Sequence, residues 1–403
     1  MALRTHVKPA DLKGVAQLAV DATLGVTGIV ESMHRTISRV APIMGKPTKG
    51  PTLGISGWVY RSVRGVTRLS GAGIQAALPL LIPLLGNPAG SIEREAVLAA
   101  MNGVMGDYLL ESSNPLAIQM QLRHNGAALE LAADALAAAL PAASDRVLIT
   151  IHGLCMSDHC WQWKGHDHGA ALSLQHGMAR LDVNYNSGLH ISANGQSLAA
   201  HLEQLVGTWP VPLCEIHLLC HSMGGLVVRS ALRTAACAGH AWPKRVANVF
   251  FLGTPHHGAP LERVGHGVDT LLSLSPYVAP FARLGQIRSA GITDLRHANL
   301  IDEDWQGVDR FERSPRRPAP LPLPSGIAFH AIAAVAGKRA VAAKSRLLGD
   351  GLVPVASALG QHRLKKWALD IPESNRWIAT GTNHMDLLGS AAVCERISRW
   401  MER

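Results

Sequence analysis

Ile216-His-Leu-Leu-Cys-His-Ser-Met-Gly-Gly-Leu-Val-Val-Arg229 is the stretch that decides how this 403-residue chain is read. An apolar run, Ile216 to Cys220, enters Cys220-His221-Ser222-Met223-Gly224, and a helical pattern follows at once, from Gly224 to Ala236. A strand that turns directly into a helix around a serine with small neighbours is a nucleophile elbow. The turn holds Ser222 at the strand tip in a strained backbone conformation, so bulky flanking side chains do not fit. Gly224 and Gly225 let the helix approach the strand. Cys220 stands where glycine is usual, and its thiol is the next small side chain that fits.

Outward from the elbow, apolar strand-like runs alternate with helical stretches. The expected strands are Val147 to Ile151, Leu181 to Tyr185, Ile216 to Cys220, Val246 to Leu252, Ile327 to Val335 and Arg376 to Ala379. The expected helices lie near Ser197 to Val206, Gly224 to Ala236 and Leu387 to Met401. This alternation predicts an α/β fold, a mostly parallel sheet with helices on both faces. Leu116, Ile118, Met120 and Leu122 alternate with small or polar residues before Asn125-Gly126, a dipeptide suited to a two-residue hairpin turn. A hairpin at one sheet edge is expected there, then an Ala-rich helix through Leu140.

The strand ending at Ile151 runs into His152-Gly153-Leu154. Acyl transfer at Ser222 needs two donors aimed at the developing oxyanion. The loop after this strand supplies one, the Leu154 N–H, and the residue after the nucleophile, Met223, supplies the other. His152 itself orders the loop or borders the pocket. The acid and base follow the serine in the chain order Ser, Asp/Glu, His. Asp350, in Gly349-Asp350-Gly351-Leu352-Val353-Pro354, and His384, in Asn383-His384-Met385-Asp386, are the candidates. Asp302, Asp304 and Asp370 are fallback acids, and Asp386 is too close to His384 in sequence to face it.

The elbow, Gly253-Thr-Pro-His-His-Gly258, the Asp350 turn and His384 together resemble the α/β-hydrolase lipases and esterases, most closely the branch similar to the GPI inositol-deacylase. The resemblance covers roughly Leu116 to Arg403. It implies the α/β-hydrolase fold and serine hydrolysis of carboxylic esters, without implying glycosylphosphatidylinositol as the substrate. Acyl transfer to an acceptor other than water, thioester hydrolysis, and a membrane-associated scaffold with an inactive hydrolase domain are the alternatives. The substrate expected is a lipid or other acyl ester. His221, His256 and His257 are expected to shape loops or edge the pocket. Leu261 to Leu284, with Leu271 and Tyr277, reads as a cap whose apolar side could receive an acyl chain. A proline-rich surface excursion is expected between 302 and 325.

Two further stretches bear on ligands. Cys155 to His168 carries Asp158, His159, Cys160, His166, Asp167 and His168, but its spacings fit no closed structural zinc site. It is read as an entrance loop presenting Trp161 and Trp163, with no metal and no cofactor expected. Residues 1–112 are expected to be a helical region. Leu12, Val15, Ala19, Ala22, Val26, Ile29, Met33, Ile37 and Val40 fall on one helical stripe. Ile55, Val59, Val63 and Val66, flanked by Arg61, Arg64 and Arg68, form a basic amphipathic one, able to pack on its neighbours or to lie on an anionic membrane. A third helix is expected from Ser91 to Glu111.

The net charge of +9 resides mostly in this front segment. No nucleic-acid module accompanies it, and nucleic acid is not expected as a partner. Six scattered cysteines exclude a disulfide framework and suggest a reducing, cytoplasmic setting. Met1 to Gly14 lacks a secretory signal pattern. Leu69 to Ile92 is free of charge but broken by Pro79, Pro83 and Pro88, which argues against a membrane span.

Overall fold

A computed structural model describes residues 10–11, 13–21, 24, 92–258, 289–309, 318–337 and 349–403. The basic amphipathic stripe, the charge-free stretch up to residue 91 and the cap with Leu271 and Tyr277 lie outside the described residues. The chain divides into two compact units, one of residues 1–94 and 109–117, the other of 95–108 and 118–403. In the smaller unit residues 13–21 are helical, Arg94 makes a two-pronged ion pair with Asp11 at 2.6 Å, and Asn114 donates to the Gly14 carbonyl at 3.0 Å.

In chain order the elements are α1 (Ile92–Glu111), β1 (Gln121–His124), β2 (Ala127–Ala128), α2 (Ala133–Ala139) and β3 (Arg146–Ile151). Then come β4 (Gln162–Trp163), β5 (His166–Asp167), α3 (His168–His176), β6 (Ala179–Asn184), α4 (Ile191–Thr208), β7 (Glu215–His221) and α5 (Met223–Ala238). The rest are β8 (Val246–Leu252), α6 (Ala290–His297), β9 (Ala328–Val335), α7 (Val355–Ala358), β10 (Arg376–Thr380) and α8 (Ala391–Met401). Among the described residues no helix is long and apolar enough to cross a membrane.

Eight strands form one sheet in the order β10-β9-β8-β7-β3-β6-β1-β2. Every pairing from β10 to β6 is parallel, and β1 runs antiparallel to both β6 and β2. The six expected strands are all present, shifted by a residue or two at their ends. Both faces are covered, and the strands show it by splitting their side chains between two cores. Ile149, Leu218, Val249 and Phe251 join Leu198, Leu202, Leu226 and Val227 of α4 and α5 on one side. Leu148, Leu219, Phe250 and Leu252 join Leu172 of α3 and Val393, Ile397 and Trp400 of α8 on the other. Each such fully buried aliphatic side chain contributes about 1.5–3 kcal/mol of transfer free energy, so an unbroken apolar strand is stable only with helices on both faces.

The edge hairpin turns at Asn125 and Gly126, both with positive φ (50° and 78°), the backbone that a two-residue primed turn requires. Its first strand is shorter than the alternation predicted, starting at Gln121 rather than near Leu116. The Asn114 side chain takes the Leu116 N–H at 3.0 Å and that of Asn102 takes the Ile118 N–H at 2.9 Å, so these groups bond to side chains and not to a strand ladder. Helix α3 was not anticipated, although its end signals are in the sequence. The Asp167 side chain accepts from the Ala170 N–H at 3.0 Å, and Gly177 closes the helix at φ 63°.

Gly224 fixes how closely α5 meets the sheet. A Cβ there would press on the Ile151 carbonyl oxygen and come within 2.7 Å of the His152 carbonyl oxygen, and neither can move without distorting β3. Gly224→Ala is therefore expected to destabilise the protein by about 1–3 kcal/mol, as overpacking does. Gly207→Ala, in α4 with open space around it, should be neutral or stabilising by up to about 1 kcal/mol. Equilibrium denaturation of the two variants beside the parent checks both expectations; equal stability would mean that α5 has room to withdraw.

Candidate active site

Ser222 stands between β7 and α5 with φ 51° and ψ −120°, a left-handed backbone that a serine adopts only when its surroundings impose it. Those surroundings are hydrogen bonds and close packing. The Ser222 N–H donates to the Leu252 carbonyl at 2.8 Å, and its own carbonyl accepts from the Gly225 N–H at 3.2 Å. Gly153, in the loop after β3, lies against it: a Cβ at 153 would sit 3.1 Å from Ser222 Cβ. Met223 begins α5, so its N–H has no acceptor within the helix. Among the described residues the Leu154 N–H meets no acceptor either. Cys220 is wholly buried in the apolar core and burial pushes its thiol well up, so it acts as a small apolar filler.

Asp350 and His384, far apart in sequence, are joined. His384 Nδ1 donates to Asp350 Oδ2 at 2.7 Å, and both side chains are almost entirely buried. The second carboxylate oxygen accepts from the Leu352 and Val353 N–H groups at 2.9 and 2.8 Å, which fixes the carboxylate plane. Gly349 (φ 60°) and Gly351 (φ 98°) on either side permit the tight turn that aims it. With Nδ1–H given to Asp350, a neutral His384 ring keeps its lone pair on Nε2. Asp386 does not reach the ring. Burial alone would raise its carboxyl, but hydrogen bonds from Lys164 (2.7 Å) and Trp163 (3.4 Å) outweigh this and hold it below the usual range.

The Asp350–His384 pair and Ser222 lie at the same end of the sheet. The Leu252–Gly253 junction touches both: Leu252 holds the Ser222 N–H, while a Cβ at Gly253 would lie 3.0 Å from His384 Cε1. The His221 ring stands 4.8 Å from that of His384, and its Nε2 donates to the His384 carbonyl at 3.1 Å. Burial first, and the nearby His384 second, drive His221 well below its ordinary value, so it stays a neutral prop for the loop that carries His384.

The remaining sequence candidates are distributed as follows. His152 is fully buried behind its loop, stacked on Tyr185 at 4.3 Å, with Nδ1 on the Gly153 carbonyl at 2.8 Å. Burial, the largest influence, lowers it to about 4 despite that hydrogen bond. His256 packs edge-on against Phe251 and beside Arg229, and lines a cavity with Arg229, His257 and Trp367. A separate hollow of about 210 Å³ is lined by Asp350, His384, Leu352, Asn383, Trp163 and Lys164. Leu271 and Tyr277 are not among the described residues. Of the fallback acids, Asp302 accepts from Gln196 and Asp304 caps its own turn through the Leu300 and Ile301 N–H groups.

The segment read as an entrance loop is only partly one. Trp163 borders the hollow beside His384, but Trp161 is fully buried, packed with Leu148 and Leu172 beneath the sheet. Its large apolar ring gains more from that core than from a solvent-facing rim. All six cysteines are free thiols.

Residues 144–319 match the family model described as PGAP1-like alpha/beta domain. Among solved structures, the mature form of a Bacillus licheniformis lipase is 18% identical with a TM-score of 0.39, over 63% of this chain and 90% of that one. An esterase of Pyrococcus furiosus is 16% identical with a TM-score of 0.37, over 64% and 83%. The RedJ thioesterase from the prodiginine biosynthetic pathway of Streptomyces coelicolor is 17% identical with a TM-score of 0.33, over 65% and 91%. No curated protein matches the chain. The parallel sheet, the elbow between β7 and α5 and the match over 144–319 agree on an α/β-hydrolase fold, and residues 144–319 are similar to the PGAP1-like alpha/beta domain.

Proposed function

We propose that this protein is a serine hydrolase that cleaves carboxylic esters through Ser222, His384 and Asp350. What supports this reading is the buried Asp350–His384 pair, at the same end of the sheet as a serine in strained elbow geometry. Ser222 Oγ attacks the ester carbonyl as His384 Nε2 takes its proton. Asp350 holds the other ring nitrogen and stabilises the imidazolium that forms. The tetrahedral oxyanion is received by the Leu154 and Met223 N–H groups, each such donor being worth about 3–4 kcal/mol in the transition state. His384 then protonates the departing alkoxide, leaving an acyl group on Ser222. Water, deprotonated by the same imidazole, releases the acid and restores the serine.

The test is steady-state hydrolysis of p-nitrophenyl esters of increasing acyl length by the full chain. Turnover on at least part of the series is expected, with the chain-length profile reporting what the pocket admits. Absence of hydrolysis across the series would contradict the reading, and acyl appearing on an added alcohol or thiol instead of as free acid would redirect it to acyl transfer.

A further inference from the structure

Outside the serine site, three strong metal-ligand side chains from distant parts of the chain converge. They are His166 on β5, His168 at the start of α3 and Cys394 in α8, and one ligand atom of each lies within 4.8 Å of the other two. His166 Nε2 and His168 Nδ1 are only 2.9 Å apart. The other nitrogen of His168, Nε2, faces the Leu387 carbonyl at 2.8 Å. A carbonyl only accepts, so His168 Nε2 carries the hydrogen and its Nδ1 presents a lone pair to the cluster. The His166 Nε2 hydrogen is the one donated to that lone pair, and it occupies the place a cation would take.

We propose that His166, His168 and Cys394 form a binding site for zinc or a similarly thiophilic cation. Two imidazoles and one thiolate with a water in the fourth position make a tetrahedral set suited to that ion. Ordinary metal–nitrogen and metal–sulfur lengths put neighbouring ligand atoms about 3.5 Å apart, so the cluster needs only small side-chain movements to close. The His168 hydrogen bond to Leu387 is the outer support that metal-bound imidazoles commonly have, fixing tautomer and ring orientation. Binding would release the Cys394 thiol proton and move the His166 hydrogen from Nε2 to Nδ1.

Burial, and secondarily Asp167, push the thiol up to about 11, while burial above all lowers His168 to about 4 and keeps it neutral. His168 and Cys394 are buried and His166 is partly buried, the most accessible of the three. The site would tie α3 and α8 to the turn Asp386–Leu388, directly after His384. The local spacings of Cys155 to His168 excluded a metal only because the third ligand comes from the C-terminal helix.

A second cluster, Glu95, Asp158 and His159, supplies an internal control. Arg123 already donates to Glu95 at 2.8 Å and to Asp158 at 3.0 Å, so a guanidinium already occupies both carboxylates.

The experiment uses the full chain stripped with a chelator, then titrated with Zn²⁺ by calorimetry and with Co²⁺ by absorbance. One zinc per chain is expected, together with a thiolate-to-cobalt charge-transfer band in the near ultraviolet. Cys394→Ser should abolish the band and weaken zinc by at least about 100-fold. His166→Gln, at the least buried of the three ligand positions, should weaken zinc by a similar factor while the circular dichroism stays unchanged. Cys214→Ser, at an exposed thiol, and His159→Ala should change neither readout. No uptake by the parent chain, uptake that survives both ligand substitutions, or uptake lost in His159→Ala would overturn the assignment.

Discussion

Ser222→Ala is expected to lower kcat on p-nitrophenyl esters about a millionfold, with KM little changed and the fold intact. The magnitude is what removal of a serine nucleophile costs when its base and oxyanion donors stay behind. Alanine keeps the Cβ, so the strained backbone at φ 51° and the packing against Gly153 are the same in both proteins. Loss of activity would thus report the missing hydroxyl and not a rearranged elbow. Steady-state kinetics with matched circular dichroism checks this. A decrease of only tenfold would mean that another group forms the bond to the acyl carbon.

Asp350→Asn should lower kcat about 10⁴-fold, the cost of the wrong imidazole tautomer in a triad. The amide oxygen can still accept from the Leu352 and Val353 N–H groups, so the Gly349–Gly351 turn survives the change. The amide NH₂ then faces His384 Nδ1, which must accept where it formerly donated. The ring hydrogen is driven to Nε2, the nitrogen that the proposed mechanism needs free to take the serine proton. Asp370→Asn, at an exposed acid, should leave turnover as it was. Equal losses in the two variants would show that the Asp350 carboxylate does not act through His384.

Most of the sheet was readable because parallel strands buried on both faces are mostly apolar, a pattern found in Val147 to Ile151 and Val246 to Leu252, each interrupted by one hydrogen-bonded polar residue, Thr150 and Asn248. The elbow was readable for a different reason: its strain restricts which residues can stand at 220 and 224. Ends were less legible. Leu116 and Ile118 carry a strand-like alternation, yet neighbouring asparagine side chains take their backbone hydrogens. Period alone does not reveal that competition. Trp161 and Trp163, two positions apart in the same polar stretch, fare oppositely, one in the core and one beside His384, and only tertiary packing separates them. Helix α3 hid in a histidine-rich segment whose caps, Asp167 and Gly177, were nonetheless present in the sequence.

The candidate site divides along the same line. Chain order nominates Asp350 and His384 and sequence proximity sets Asp386 aside, while the contact of Asp350 with the ring itself follows from where the turns at 349–351 and 383–386 point. The support His221 gives to the His384 carbonyl joins two loops and leaves no signature in either. Nor does any spacing rule place Cys394 beside His166 and His168.

The most direct test of the account is treatment of the native full chain with a fluorophosphonate, followed by peptide mass spectrometry to locate the adduct. One phosphonylated residue, Ser222, is expected, with a sharp loss of labelling rate in His384→Ala. An adduct on a different residue, or labelling that proceeds equally fast without the His384 imidazole, would contradict it.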